Sequence, residues 1–418
     1  MAGTAGTGTT DVGPSDAHQF FLDAMSPKYR EDPYPLYAAF RERASMALVD
    51  ADHWLVLSHA EVSACLRHPL MSANEQRSNS FTRQTATDPT VRAQIPPPSL
   101  LFMDPPDHTR LRGLVARAFT PRTVERLRAQ AEAIVADLLD QMAGSAGDVD
   151  LIGALAYPLP VRIICALLGV PQHDEGRFAA WSKALVRSID PSVLRSAEVE
   201  EQIADAHDEL ASYLDHLVAV RAAGPGGDDL ISVLLGVEAE SDRIAHRELI
   251  ELAALLLVAG HETTVNLIGN GVLALLRNPE QESILQRHPE LSDRAIDELL
   301  RFDSPVQMNE RIATEDLELA GHTVEQGTEL VLVLGAANRD PATFPAPDVL
   351  DVTRDARRHV AFGGGIHHCL GAALARMEGR LAISALMARF PDMVQAGDPV
   401  RRPTFTLRGL ERLPVRLG

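Results

Sequence analysis

A chain of 418 residues is longer than a single core usually grows, so length alone predicts two or three domains. With 45% hydrophobic and 23% charged residues, the composition excludes a disordered or fibrous protein and allows a large buried core. The 58 acidic residues against 39 basic ones leave a formal charge of -19, which argues against nucleic acid as a partner while permitting a local basic patch.

Residues 1–16 are mostly Gly, Thr and Ala without an apolar run, and predict a disordered tail with no signal peptide. Two short β-type runs, 46–49 and 54–57, flank Asp50-Ala51-Asp52-His53 and predict a hairpin. At Asp104-Pro105-Pro106-Asp107 a helix is expected to start, with Asp104 as the N-cap, Pro at the first helical position and an acid three residues on. Amphipathic helices follow over 123–142 and 198–222, the second closed by the Gly/Pro-rich linker 223–227.

The longest periodic segment covers 247–276, and its middle is apolar on every side, as expected of a helix through an interior. Its uninterrupted apolar stretch, 252–260, is about half of the ~20 residues a membrane span needs. It then runs into His261 and Glu262, so no spanning segment and a cytoplasmic location are expected. A shorter helix is predicted over 292–302, stopping near Pro305, then strands over 317–319 and 329–334. A helix over 371–390 and an Arg408-Gly409 turn between two β-type runs complete the chain. The pattern is mainly α with a small β region. Three scattered cysteines make no disulfide scaffold, and Cys65 and Cys165 sit in apolar helical patterns as buried small hydrophobes.

Chemistry concentrates in Phe362-Gly363-Gly364-Gly365-Ile366-His367-His368-Cys369-Leu370-Gly371. Three glycines permit a tight loop that can lie close against a flat ligand, because no Cβ intervenes. The cysteine ends the loop just before a helix, whose N-terminal dipole and free N–H groups are expected to lower its pKa toward thiolate. A haem-bound thiolate and a zinc site drawn from His359, His367, His368 and Cys369 both suit these residue types. The adjacent triple His367, His368 and Cys369 fits tetrahedral zinc poorly.

This loop resembles the haem-binding signature of the cytochrome P-450 family, and the resemblance extends over nearly the whole chain after the tail. It implies the family's mostly α triangular prism around a buried haem b, folded as a single catalytic domain over residues 17–418, which overrides the length-based expectation. It implies Cys369 as the axial ligand of the haem iron, with Phe362 and Gly363 beside the sulfur.

Ala259-Gly260-His261-Glu262-Thr263-Thr264 lies in the middle of the long helix. Gly260 costs helix stability, which suggests close approach of a ligand. The Thr263 hydroxyl is placed to bond the Ala259 carbonyl four residues back and bend the helix. Glu262 is a carboxylate in apolar surroundings, expensive unless paired. Glu262-Thr263 matches the family's acid–alcohol pair in register, and the implied role is proton delivery during O2 activation. His261 reads as a helix-surface or network residue.

Glu298-Leu299-Leu300-Arg301 puts an acid and a base on one helix face. The resemblance makes it a structural ion pair on the proximal side, and the segment 338–354 the meander that docks there. It also implies that His108, Arg112, Arg311 and His367 hold the haem propionates.

No flavin, nicotinamide or iron–sulfur fingerprint remains, so electrons are expected from a separate donor, which the resemblance makes a small acidic ferredoxin with its NAD(P)H-dependent reductase. Arg110, Arg117, Arg357, Arg358 and Arg376 are candidate docking cations. The resemblance implies a pocket between variable loops, here 72–100 and 178–198, and the side chains of Leu255, Val258, Ala259 and Val306 as wall residues suit a small, largely apolar organic substrate. The leading reading is an O2-dependent monooxygenase that hydroxylates or epoxidises this substrate. Peroxide-driven oxidation, oxidative coupling and a non-enzymatic haem sensor or carrier are the alternatives. A monomer is expected.

Overall fold

The structure, a computed structural model, describes residues 14–87, 99–116, 119–190, 195–224, 226–241 and 244–418. Most of the expected disordered tail lies outside them, but residues 14–16 open helix α1 (Pro14–Ala24), where Asp16 pairs with Arg43 at 2.7 Å. The helix is held because Phe20 is fully buried against Tyr37 and Phe40.

The helices that build the site are α2 (His59–Arg67), α3 (Asp107–Val115), α4 (Pro121–Ala143), α5 (Pro158–Leu168), α6 (Glu175–Leu185), α7 (Ala197–Ala222), α8 (His246–Leu276), α9 (Ser292–Phe302) and α10 (Ala372–Arg389). Local chemistry sets several starts. Thr120 accepts the Thr123 N–H ahead of Pro121, and Ser196 accepts the Val199 N–H. Glu248 reaches back to the Ala245 N–H at 2.8 Å.

The start of α3 differs from expectation. Asp104 does not cap it; the helix begins at Asp107. The Asp104 carboxylate instead accepts from Ser72 Oγ (2.5 Å) and the Ala73 N–H (3.1 Å) and pairs with Arg77 at 3.0 Å. A charged tertiary partner outcompetes a local cap.

The predicted hairpin is present as β1 (Met46–Leu48) and β2 (His53–Val56). With β3 (Met71–Ser72), β4 (Met308–Ala313) and β5 (Glu329–Val333) it forms one sheet in the order β1-β2-β5-β4-β3. Only the β2–β5 pair is parallel, with Leu55 opposite Val331, and Arg311 on β4 stands opposite Leu330.

Helix α8 is the axis of the molecule and packs against α5, α7, α9 and α10. By length (31 residues) and the mean hydropathy of an 18-residue window within it (1.4) it is long and apolar enough to cross a membrane, contrary to the sequence expectation. Its apolar surface is spent on the protein interior, with Leu257, Val265, Ile268, Val272 and Leu275 fully buried. Gly269 and Gly271 let it approach its neighbours; a Cβ on Gly269 would stand 2.7 Å from Ile152 Cδ1.

Helix α10 carries one unpaired acid. Glu378 is buried, its Oε2 has no hydrogen-bond partner, and burial pushes its carboxyl up to about 8. A folded-state pKa above the unfolded value of 4.5 means that its favourable contribution is complete below about pH 4.5 and is lost as pH rises through about 8. Glu378→Gln is therefore expected to gain stability at pH 7–8, on the order of a few kcal/mol, with the gain shrinking toward pH 5. Denaturant titrations at several pH values measure this; an unchanged pH slope in the variant would contradict it.

Candidate active site

The cysteine loop leaves the sheet side of the molecule and ends at α10. The Cys369 N–H donates to the Phe362 carbonyl at 2.9 Å, which closes the loop on itself. Gly363 and Gly365 have positive φ (66° and 64°), a backbone region costly for other residues. The glycines do not all face a ligand, as the sequence suggested. A Cβ on Gly364 would stand 3.2 Å from Leu66 Cβ, and one on Gly365 would collide with the Leu66 carbonyl. Two of the three therefore serve to seat the loop on the end of α2.

Of the three cysteines only Cys369 is exposed. Burial drives the Cys65 and Cys165 thiols up to about 12, so both are inert. Cys369 is open on one side yet closely walled by protein, and burial raises its pKa as well. The Gly371 N–H, Arg112 and Arg376 pull it down but do not prevail, which corrects the expectation of a thiolate favoured by the helix terminus alone. A bound metal cation reverses that balance, because a coordinating thiol is deprotonated outright.

Phe362 stacks under Arg376, whose guanidinium lies 4.5 Å from the ring centre. His359 faces Asp297 at 3.3 Å, away from the cysteine. Among the described residues no three His, Cys, Asp or Glu side chains converge, so the zinc reading has no ligand set.

His108 from α3 and His367 from the loop meet with ring centres 4.2 Å apart. The Nε2 atoms of both are buried and have no hydrogen-bond partner. Burial first, then Arg311 and His108, push the His367 imidazole down to about 3, and burial and Arg112 lower His108. Arg311 is buried on β4, bonded to Asn309 Oδ1 (2.5 Å) and the Glu310 carbonyl (2.6 Å). Arg112 donates to the His368 carbonyl at 2.5 Å. Two orphaned imidazole nitrogens flanked by two guanidiniums form a cradle for carboxylates.

On α8, Leu255, Ala259 and Thr263 recur every four residues and share a face, and Thr263 Oγ1 donates to the Ala259 carbonyl at 3.1 Å. Val258 is half-buried beside them, and Val306 enters from the chain ahead of β4, bridged to Leu407. Gly260 departs from its sequence reading: a Cβ there would meet Ile164 Cδ1 at 2.8 Å, so it allows α8 to approach α5 rather than a ligand.

Glu262, three residues after Ala259, is buried with its carboxylate held by α6 and the C-terminal segment. It accepts from Ser182 Oγ on α6 (2.5 Å) and from Arg402 Nη1 (2.5 Å). These partners and His261 overcome burial and hold its carboxyl at about 2. His261 is not on the helix surface; it is 1% exposed, with Nδ1 2.6 Å from the Leu257 carbonyl and Nε2 2.7 Å from Ser182 Oγ. Ser182 and Arg402 lie 80 and 140 residues from Glu262 in the chain, and no local signal marked them.

Glu298 and Arg301 form a two-pronged pair at 2.7 and 2.8 Å with both side chains fully buried. The meander completes it. Arg301 also donates to the carbonyls of Asn338 (3.0 Å) and Pro347 (2.8 Å), while Glu298 accepts from Arg354 (3.2 Å) and the Asp351 N–H (3.0 Å).

The family model for cytochrome P-450 matches residues 70–414. The chain belongs to the cytochrome P-450 family. It is 43% identical over 404 residues to the vitamin D(3) 25-hydroxylase of Pseudonocardia autotrophica, covering 95% of this chain and 96% of that protein. It is 40% identical over 405 residues to the cytochrome P-450 monooxygenase PikC of Streptomyces venezuelae, covering 94% and 93%. Ligand-free CYP164A2 of Mycobacterium smegmatis superposes with a TM-score of 0.88 at 42% identity, over 95% of this chain and 99% of that one. The fold is thus the mainly α cytochrome P-450 fold, and the chain is a haem-thiolate monooxygenase that uses haem b, O2, a small organic substrate and redox partners. The residues present fit the haem: one accessible thiol, and a cradle of unpartnered imidazoles and guanidiniums for its propionates.

The expected docking cations are largely neutralised in this P-450. Arg110 pairs with Glu248 (2.5 Å), Arg357 with Asp355 (2.6 Å) and Arg376 with Asp297 (2.7 Å). Arg117 lies outside the described residues, as do parts of both expected substrate loops (88–98 and 191–194). Arg358 is exposed, and among the described residues no carboxylate pairs with it.

Proposed function

We propose that Cys369 binds the haem iron, that His108, Arg112, Arg311 and His367 hold the propionates, and that the chain hydroxylates or epoxidises a largely apolar substrate. The observation that carries this is the pair of buried, unpartnered imidazole nitrogens at His108 on α3 and His367 on the loop that carries the one accessible thiol. When bound, the haem supplies dioxygen activation and oxygen-atom transfer. The chain's own residues orient and protonate. Leu255, Val258, Ala259 and Val306 present apolar surface to the substrate and exclude water. Relatives named as hydroxylases of vitamin D(3) and of 6-deoxyerythronolide B, 43% and 39% identical, favour a bulky apolar guest.

Thr263 Oγ1, bonded to the Ala259 carbonyl, positions a proton on this face of α8, and Glu262, kept ionised by its own partners Arg402 and Ser182, is the neighbouring acid of the pair. Thr263→Ala is expected to leave haem content unchanged while product formed per electron falls by about tenfold or more and hydrogen peroxide rises. Measuring product and peroxide against NAD(P)H consumed checks this; unchanged yield would remove Thr263 from the proton path. The acid–alcohol pair favours O2-driven oxygenation over a peroxide-driven oxidase.

Electrons come, in this reading, from a small acidic ferredoxin that docks on the cysteine side through Arg358. With so few free cations, affinity is expected to fall only severalfold between low and high salt, and Arg358→Ala to abolish most of that dependence. Equal affinity at both salt concentrations in the unmodified protein would argue against an electrostatic dock. The reading keeps the chain a cytoplasmic monomer; α8 spends its apolar surface on the interior.

A further inference from the structure

A cavity of about 200 Å³ lies between α1, the end of α6 and the C-terminal hairpin, apart from the haem-facing residues of α8. Six guanidiniums line it: Arg30, Arg187, Arg195, Arg401, Arg402 and Arg408. Asp190 is the one carboxylate among the lining residues, and its Oδ1 is already taken by the Phe405 and Thr406 N–H groups. From behind, Asp303 pairs with Arg401 (3.4 Å) and Arg408 (2.6 Å), Glu262 with Arg402 (2.5 Å), and Glu200 with Arg195 (2.8 Å). Neither Arg30 nor Arg187 makes an ion pair within 4 Å among the described residues, although the Asp190 carboxylate lies close enough to feel the Arg187 charge; Arg30 makes a long bond (3.3 Å) to the Met25 carbonyl. Arg401 Nε is buried without a hydrogen-bond partner, its side chain 6% exposed and Glu31 3.9 Å away. A buried charged donor left unsatisfied is costly and calls for an acceptor. The remaining wall is apolar, from Ala24, Met25, Pro33, Tyr37 and Phe405.

We propose that this cavity is a binding site for a small organic carboxylate, its anionic head on Arg187, Arg30 and Arg401 and its apolar body against Met25 and Phe405. Guanidinium forks match carboxylate geometry, which selects an anion over a neutral polar guest. The volume suits one ring or a short chain rather than the bulky guest of the haem pocket. None of Leu255, Val258, Ala259, Thr263 and Val306 lines it, while Arg187, Asp190 and Arg195 belong to the segment 178–198 expected beside the substrate and Gln307 follows Val306, so independence from the iron is what the titration has to test. Arg402, which holds Glu262 of the central helix, stands in the wall of the same cavity.

Calorimetric titration of the haem-loaded protein with phenylacetate, and with 2-phenylethanol as the neutral counterpart, tests this. Phenylacetate is expected to bind one to one, at least about tenfold tighter than the alcohol, and more weakly at high salt. Binding is expected to persist when imidazole saturates the iron. Arg187→Gln with Arg30→Gln is expected to weaken phenylacetate by about tenfold, and Arg187→Lys by less. The carbon monoxide spectrum of each variant verifies an intact haem site. Equal binding of acid and alcohol, loss of binding under imidazole, or an unaffected double variant with an intact spectrum would overturn the proposal.

Discussion

Cys369→Ser is expected to yield folded protein that lacks the red-shifted Soret band of the reduced carbon monoxide complex and has no monooxygenase turnover. The other two cysteines offer no substitute, since burial drives both thiols up to about 12 and each is enclosed in its own core cluster. The Cys369 backbone makes its loop-closing bond through the N–H, which serine keeps. A hydroxyl does not supply the electron density that a thiolate gives the iron. The changed atom is therefore the one that matters. Reduced spectra with carbon monoxide, alongside circular dichroism, check both halves. A retained red-shifted band in the serine variant would move the ligand elsewhere and sink the proposed site.

Glu298→Ala and Arg301→Ala are each expected to abolish recovery of haem-loaded protein. Breaking a buried pair by removing one partner typically costs about 3–5 kcal/mol, a large share of the about 5–15 kcal/mol that holds a domain folded. Here the loss is compounded. Without Arg301, the Asn338 and Pro347 carbonyls lose a donor inside the protein; without Glu298, Arg301 and Arg354 lose their shared carboxylate. Both changes detach the meander from α9, and the cysteine loop follows the meander directly in the chain. Arg301→Lys is expected to fail as well, since an ammonium cannot make the fork to Glu298 while reaching two carbonyls. Arg354→Ala, at the partly exposed edge of the network, is expected to be milder. The ratio of haem absorbance to protein absorbance after purification reads the result. Fully loaded Arg301→Ala would show that the pair is dispensable.

Much of the scaffold was legible because local periodicity carried it. The helices over 198–222, 247–276 and 292–302 end within a residue or so of their expected bounds, since apolar spacing and end signals act within a few turns. The cysteine loop was legible because its residues are contiguous. Asp104 was misread for the converse reason: an N-cap is a local preference, and Ser72, Ala73 and Arg77 offered its carboxylate stronger partners.

From the chain alone came the mainly helical class, the central apolar helix, the one cysteine set apart by glycines, and the ion pair three residues wide. Each depends on neighbours in sequence, whose relative placement backbone geometry dictates. Folding in three dimensions decided the rest. It turned Gly260 toward Ile164, gave the Glu262 carboxylate to Ser182 and Arg402, neutralised most of the expected docking arginines, and gathered six guanidiniums around one cavity. A side chain's charge state and partner are set by what lies within a few ångströms, and residues remote in the chain supply that.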